Sequence, residues 1–300
     1  MCIRDRVYNG ANAMELGWVK DYSQIKSVIW CAGTGQSGFN ALGSILCGDV
    51  NPSGRTIDTF VYDLTQTPTA NNFGNFNYTN MDELKASAFG AETIPAFVDY
   101  VEGIYVGYKF YETAAAEGLI DYDKTVVYPF GRGLSYTTFT QSLNSVTEAD
   151  GTITVDVTVT NTGSASGKEV VEVYYNPPYT NGGIEKASAN LIGFAKTSEL
   201  APGASENVTV TFKAEDMASY DTYGKGCYVL EKGDYVISIN ADSHTVLDSK
   251  TYTVASDIVY DASNKHESDV EVADNKFGFA EGNVTYLSRA DGFANYAEAT

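Results

Sequence analysis

Between Ile153 and Thr160 every second residue is apolar, and this alternation constrains the fold more than any other feature of the chain. In an extended strand it places Ile153, Val155, Val157 and Val159 on one face and Thr154, Asp156, Thr158 and Thr160 on the other. A register slip of one residue would turn the whole apolar set into water, so strand pairing is strongly specified. The pattern returns in Val208-Thr209-Val210-Thr211-Phe212 and in Tyr235-Val236-Ile237-Ser238-Ile239. Turn signals separate the runs: Asn161-Thr162-Gly163, Ala201-Pro202-Gly203 and Lys232-Gly233-Asp234. Short alternating strands with regular turns over about a hundred residues predict an immunoglobulin-like β-sandwich. It should fold alone from about Ser142 to Ala255.

Before about Phe139 the texture differs. Ser27-Val28-Ile29-Trp30-Cys31-Ala32 reads as a short buried strand, followed by a Gly-rich turn. Phe39, Leu42, Ile45 and Leu46 then recur at helical spacing. Strand, turn and helix in that order predict an α/β layer with a largely buried sheet. The fold class is thus α/β plus all-β. After Val254 the chain turns polar and acidic from Asp257 to Asn283 and reads as a linker. Val284 to Arg289 is more apolar but ends before it could bury anything, as if the chain were cut.

The formal net charge is −20, from 39 acids and 19 bases, and Lys and Arg do not cluster. That balance argues against a nucleic-acid or anionic-membrane partner. No apolar run approaches the ~20 residues needed to cross a bilayer. Met1 to Arg6 lacks the apolar core of a signal peptide, and the compartment is left open. The four cysteines, Cys2, Cys31, Cys47 and Cys227, show neither metal-ligand nor disulfide-framework spacing. Cys31 and Cys47 follow apolar residues and are expected to pack as small hydrophobes. With His244 and His266 as the only histidines, no metal site is expected.

Gly33-Thr34-Gly35-Gln36-Ser37-Gly38 satisfies G-x-G-x-x-G between a predicted strand and helix. A dinucleotide site also needs a second parallel strand ending in an acid. The sequence continues instead into the turn-rich Gly48 to Arg55, so a tight turn is expected and no cofactor. Ser37 and Ser135 miss G-x-S-x-G, and neither histidine has an evident partner, so a serine-hydrolase triad is not expected. Glu102, beside Gly103 in an aromatic-rich run, is the most interesting single acid. A retaining glycosidase needs two acids about 5–5.5 Å apart across a sugar, and the preferred reading of Glu102 is a hydrogen-bonded structural acid. The 22 Tyr and 14 Phe suit sugar-binding faces but are equally common strand residues.

Four ordered segments together resemble one family, the family 3 glycoside hydrolases. Asn51-Pro52-Ser53-Gly54-Arg55-Thr56 resembles its N-P-S-G-[RK] signature. Val101-Glu102-Gly103-Ile104-Tyr105-Val106-Gly107-Tyr108-Lys109 resembles its E-G-[IL]-Y-V-G-Y-[RK] run. Tyr128-Pro129-Phe130-Gly131-Arg132-Gly133-Leu134-Ser135-Tyr136-Thr137 resembles its P-F-G-x-G-L-S-Y-T segment. Thr158 to Gly163, with Gly167 and Glu169-Val170-Val171, resembles the start of its fibronectin type III-like domain. Leu191-Ile192-Gly193-Phe194 and Leu200-Ala201-Pro202-Gly203 fit the same domain. The match runs roughly from residue 7 to 254.

The resemblance implies residues 1–140 as part of an (α/β)6 sandwich domain and 141–255 as a fibronectin type III-like domain. Residues 256–300 would then be a linker and lead-in to a missing barrel domain, as in members with reversed domain order. It also implies a retaining β-glucosidase-like enzyme whose nucleophilic aspartate lies on the barrel. The acid/base glutamate is expected upstream of the Gly-rich turn, before residue 1. Glu102 does not match that segment, so no catalytic, cofactor-binding or metal residue is assigned, and the chain alone is expected to be inactive. The expected partners are a glycoside or oligosaccharide substrate and the barrel in cis. The alternatives are a non-catalytic carbohydrate-binding or cell-surface module and, behind it, a dinucleotide-binding protein.

Overall fold

Alternation in sequence becomes alternation in burial. The computed structural model describes residues 12–31, 33–71, 76–77, 86–88, 91–93, 96–269 and 284–299. One sheet of the sandwich runs β11-β8-β7, from β7 (Phe139–Ala149), β8 (Thr152–Asn161) and β11 (Ser205–Lys213), all antiparallel. Leu143 and Val208 flank Val157 in register. Ile153, Val155, Val157 and Val159 are fully buried, each worth at least ~1.5 kcal/mol in apolar area removed from water. Asp150 and Gly151, both at positive φ, make the two-residue connection between β7 and β8 that suits the twist of the strands.

The facing sheet runs β10-β9-β14-β15, from β9 (Val170–Asn176), β10 (Asn190–Lys196), β14 (Gly233–Asn240) and β15 (Val246–Val254). Val171 and Val173 of β9 and Tyr235, Ile237 and Ile239 of β14 point into the shared core. The alternate residues therefore form an outer face: Glu172, Tyr174 and Asn176 from β9, Val236, Ser238 and Asn240 from β14. A third small sheet joins β12 (Ser219–Tyr220), β13 (Tyr228–Leu230) and β16 (Ile258–Tyr260). Part of the expected linker is thus a paired strand, with Tyr260 in the sandwich core. Residues 270–283 lie outside the described residues.

The first part mixes short strands and helices, consistent with an α/β class. β1 (Phe60–Val61) pairs antiparallel with β6 (Val126–Tyr128). β2 (Phe76–Asn77) pairs with β5 (Ala96–Phe97), and β3 (Ala86–Ala88) with β4 (Ala91–Thr93). The helices are α1 (Phe39–Cys47), α2 (Pro68–Asn71), α3 (Tyr108–Ala116) and α4 (Tyr122–Thr125). The expected helix after the Gly-rich turn is α1, ended by Gly48 in the left-handed conformation. The expected buried strand before it does not form over the described residues 27–31. No other strand among the described residues pairs with this segment, so it has no ladder; Trp30 packs on Phe60, but Val28 and Ile29 are 41% and 45% exposed. The apolar face of α1 is likewise uncovered, with Phe39 and Leu46 exposed. For the same reason Cys31 and Cys47 are exposed rather than packed.

The end of the chain also departs from expectation. Leu287 and Phe293 are 3% and 1% exposed and share a core with Val101, Tyr105, Phe110, Tyr111 and Ala114. Phe293 meets Tyr105 edge to face at 4.9 Å between ring centroids. Arg289 Nε donates to Glu117 Oε1 at 2.6 Å and Nη1 to the Lys186 carbonyl at 2.9 Å, with the guanidinium 4.1 Å above the Tyr179 ring. Burial arises because this segment folds back onto α3, a long-range contact that local hydropathy does not reveal.

Candidate functional site

The four motif segments converge on the seam where the α/β part meets the sandwich. Asn51 Oδ1 accepts from the Ser135 hydroxyl at 2.9 Å and the Tyr136 amide at 2.8 Å, while its Nδ2 donates to the Ser166 carbonyl at 2.9 Å. Thr56 and the Pro129–Arg132 segment are laced together: the Thr56 amide donates to the Arg132 carbonyl at 2.8 Å, and the Thr56 hydroxyl donates to the Pro129 carbonyl at 2.7 Å. The Gly131 amide returns a bond to the Thr56 carbonyl at 2.8 Å. Tyr108 stacks on Phe130 at 4.6 Å, and its hydroxyl accepts from the Leu191 amide at 2.9 Å. The spacing of these motifs thus reflects one stapled junction.

Charge concentrates at the same seam. Arg55 pairs with Glu169 and stands 4.0 Å from Glu172. Gly131, at φ +82°, leaves room for the Glu172 carboxylate where a Cβ would collide with it. Burial pushes Glu172 up to about 7, against the lowering effects of the Tyr174 hydroxyl at 2.9 Å and of Arg55. Burial also lowers Arg55, with Glu172 and Asp242 opposing it. Desolvation thus outweighs ion pairing for both partners. Asp242 accepts from the His244 and Thr245 amides at 3.1 and 2.8 Å and lies 3.9 Å from Arg132.

Beside this cluster, Glu112 of α3 accepts from the Tyr122 hydroxyl at 2.7 Å, the Ser243 hydroxyl at 2.9 Å and His244 Nδ1 at 2.8 Å. The hydrogen bond to Glu112 raises His244 above its ordinary value. The His244 ring stacks on Tyr122 at 3.6 Å. The histidine without an evident partner in sequence therefore has one from a helix 132 residues earlier. It is no triad: Ser243 donates to the carboxylate, and no described serine is bonded to His244 Nε2. His266 packs on Tyr228 at 4.4 Å, and its Nε2 lies 3.0 Å from the Glu215 carbonyl.

Glu102 lies away from the seam. It is 4% exposed in a turn closed by the Tyr105 amide on its carbonyl at 2.9 Å. Its Oε2 has no hydrogen-bond partner, and neither carboxylate oxygen accepts a bond among the described residues, so the expected hydrogen bonding of this acid is not seen. The Gly-rich turn opens α1 as expected, with Gly35 at φ +63°. The strand that follows α1, β1, is two residues long and antiparallel to its neighbour, which is not a dinucleotide-binding crossover. Ser37 sits exposed in that turn, and Ser135 is committed to Asn51. Among the described residues no cluster of His, Cys, Asp and Glu could hold a metal ion, and no helix is long and apolar enough to cross a membrane.

Comparison with known proteins gives the seam its context. Residues 6–108 match the glycosyl hydrolase family 3 C-terminal domain, and residues 169–243 match a fibronectin type III-like domain. Beta-glucosidase A of Butyrivibrio fibrisolvens is 36% identical over 86% of this chain, which covers 31% of that protein. A beta-glucosidase of Ruminococcus albus is 32% identical over 83% of the chain, which covers 23% of it. Among solved structures, a beta-glucosidase from Paenibacillus barengoltzii superposes with a TM-score of 0.69 at 34% identity, over 84% of this chain and 26% of that one. Beta-glucosidase 3B of Thermotoga neapolitana gives 0.67 at 31% identity, over 84% of this chain and 31% of that one. The chain thus spans about a third or less of the relatives it matches. Matching domain models, relatives and folds agree: the chain belongs to the family 3 glycosyl hydrolases, as a C-terminal α/β domain joined to a fibronectin type III-like domain.

Proposed function

We propose that this chain is the scaffold of a retaining glycoside hydrolase that removes terminal sugars from β-glucosides, and that it holds neither the nucleophile nor the acid/base. The observation that carries the reading is the state of the seam carboxylates. Glu112, Glu169, Glu172 and Asp242 are all buried and all committed to cations, hydroxyls or backbone amides. A retaining glycosidase needs two acids facing the sugar about 5–5.5 Å apart. These four hold two layers together instead. Glu102 is buried, with neither oxygen accepting a bond among the described residues, and receives no catalytic role.

The proposed division is 1–140 for the α/β part, 141–255 for the fibronectin-like part and 256–300 for a linker and lead-in to a barrel domain. A barrel domain in cis would supply the nucleophile. The exposed apolar faces of α1 and residues 28–29 support a covering partner of that kind. The test is hydrolysis of an aryl β-glucoside. The purified chain should give no turnover above background, and the full-length enzyme should turn the substrate over. Activity of the chain alone, abolished by Glu102→Gln, would overturn the proposal and assign Glu102. An inactive full-length protein would favour a carbohydrate-binding module.

A further inference from the structure

A cleft of about 520 Å³ lies between α3 and the outer face of the β10-β9-β14-β15 sheet, next to the Glu112–His244 contact. Its volume is in the ~300–1,000 Å³ range of small-molecule sites. Strand register builds its floor: Ser238 of β14 lies directly opposite Ser249 of β15, and Asn240 follows two residues on along the same face. Ala115 and Ala116 of α3 supply a small apolar wall across from them. Asn240 is 2% exposed, and its Oδ1 has no hydrogen-bond partner. Neither the Ser238 nor the Ser249 hydroxyl has one among the described residues.

An orphaned buried carbonyl oxygen costs about 1–3 kcal/mol, which a ligand's hydroxyl donor would recover. The Glu112 carboxylate on the wall is already used, by Tyr122, Ser243 and His244. A neutral ligand suits the cleft, because Glu112 and His244 on its wall satisfy each other and no free carboxylate there awaits a cation. Hydroxyls along one edge and C–H faces against two alanines describe a sugar ring.

We propose that this cleft is a binding site for a neutral saccharide of one or two rings, held by Asn240, Ser238 and Ser249 against Ala115 and Ala116. The geometry stands without the enzymatic reading, and only the choice of glucose and cellobiose as probes rests on it. A failure of binding here leaves the hydrolysis test untouched, and the reverse holds too.

The experiment is a titration of the isotopically labelled 300-residue chain with glucose and with cellobiose, followed by amide resonances. Saturable shifts are expected at Ser238, Asn240 and Ser249 with a Kd near or below ~1 mM. Ser249→Trp, at an exposed edge-strand position, should weaken binding at least tenfold with an unchanged melting temperature. Ala116→Trp, from the opposite wall, should do the same by an independent route. No saturable response up to roughly 10 mM, ten times that affinity, would overturn the proposal. So would shifts confined to other amides, or binding unchanged in both tryptophan variants.

Discussion

Replacing Glu172 by Gln should stabilise the protein slightly at pH 5 and much more at pH 8. The side chain is buried on β9 between Arg55 and Tyr174, and burial raises it from 4.5 to about 7. A carboxyl held above its unfolded value binds its proton more tightly in the folded state. Its contribution is therefore fully present below about 4.5 and lost as pH rises through about 7. At ~1.4 kcal/mol per pH unit, the loss between pH 5 and pH 8 comes to ~2.5 kcal/mol. Gln matches the neutral carboxyl in shape and does not titrate. Urea unfolding of both proteins at the two pH values, followed by circular dichroism, measures the difference. His244 and every other titrating group are common to both proteins, so the comparison isolates Glu172. A Gln variant less stable than the parent at pH 8 would refute the reasoning, because it would mean that attraction to Arg55 outweighs the cost of burying the charge.

Val157→Ala should cost about 2 kcal/mol, from lost burial plus a cavity between Leu143 and Val208, whereas the outward-facing Thr154→Ala should stay within about 0.5 kcal/mol. Equal effects in chemical denaturation would contradict the assigned register. Arg289→Ala should release residues 284–299 by removing the cation between Glu117 and the Tyr179 ring. With a partner about a quarter exposed the loss is about 2 kcal/mol, so the Leu287 amide, which donates to the Val101 carbonyl at 2.7 Å, should exchange roughly thirtyfold faster. Unchanged exchange would mean that Phe293 and Leu287 alone dock the segment.

Period-two patterning made the sandwich legible because register and burial are the same information in a strand. Ile153 to Val159 and Tyr235 to Ile239 point inward as the spacing requires. The helix α1 was legible for the same reason, through its 3.6-residue period. Burial of α1 and of residues 27–31 was not, because an apolar segment says that it needs a cover and not whether one is present. Seam chemistry was invisible for another reason. Glu112 and His244, or Arg55 and Glu169, stand more than a hundred residues apart, and only folding makes them neighbours. The resemblance motifs marked the seam's position without revealing its purpose. Fold-back of 284–299 was missed because its burial depends on Val101 and Phe110, far upstream.

The close approach at Gly133 carries a consequence for recombination. A Cβ there would meet the Arg55 side chain and the Gly54 carbonyl, while Arg55 itself reaches Glu169 on the sandwich. Three segments are therefore matched to one another like wards in a lock. A chimera that takes its α/β half from one relative and its sandwich from another inherits a foreign arginine, glycine and glutamate at one point. Crossovers that carry residues 51–56, 128–137 and 169–172 as a block should yield soluble chimeras, and crossovers that split them should not.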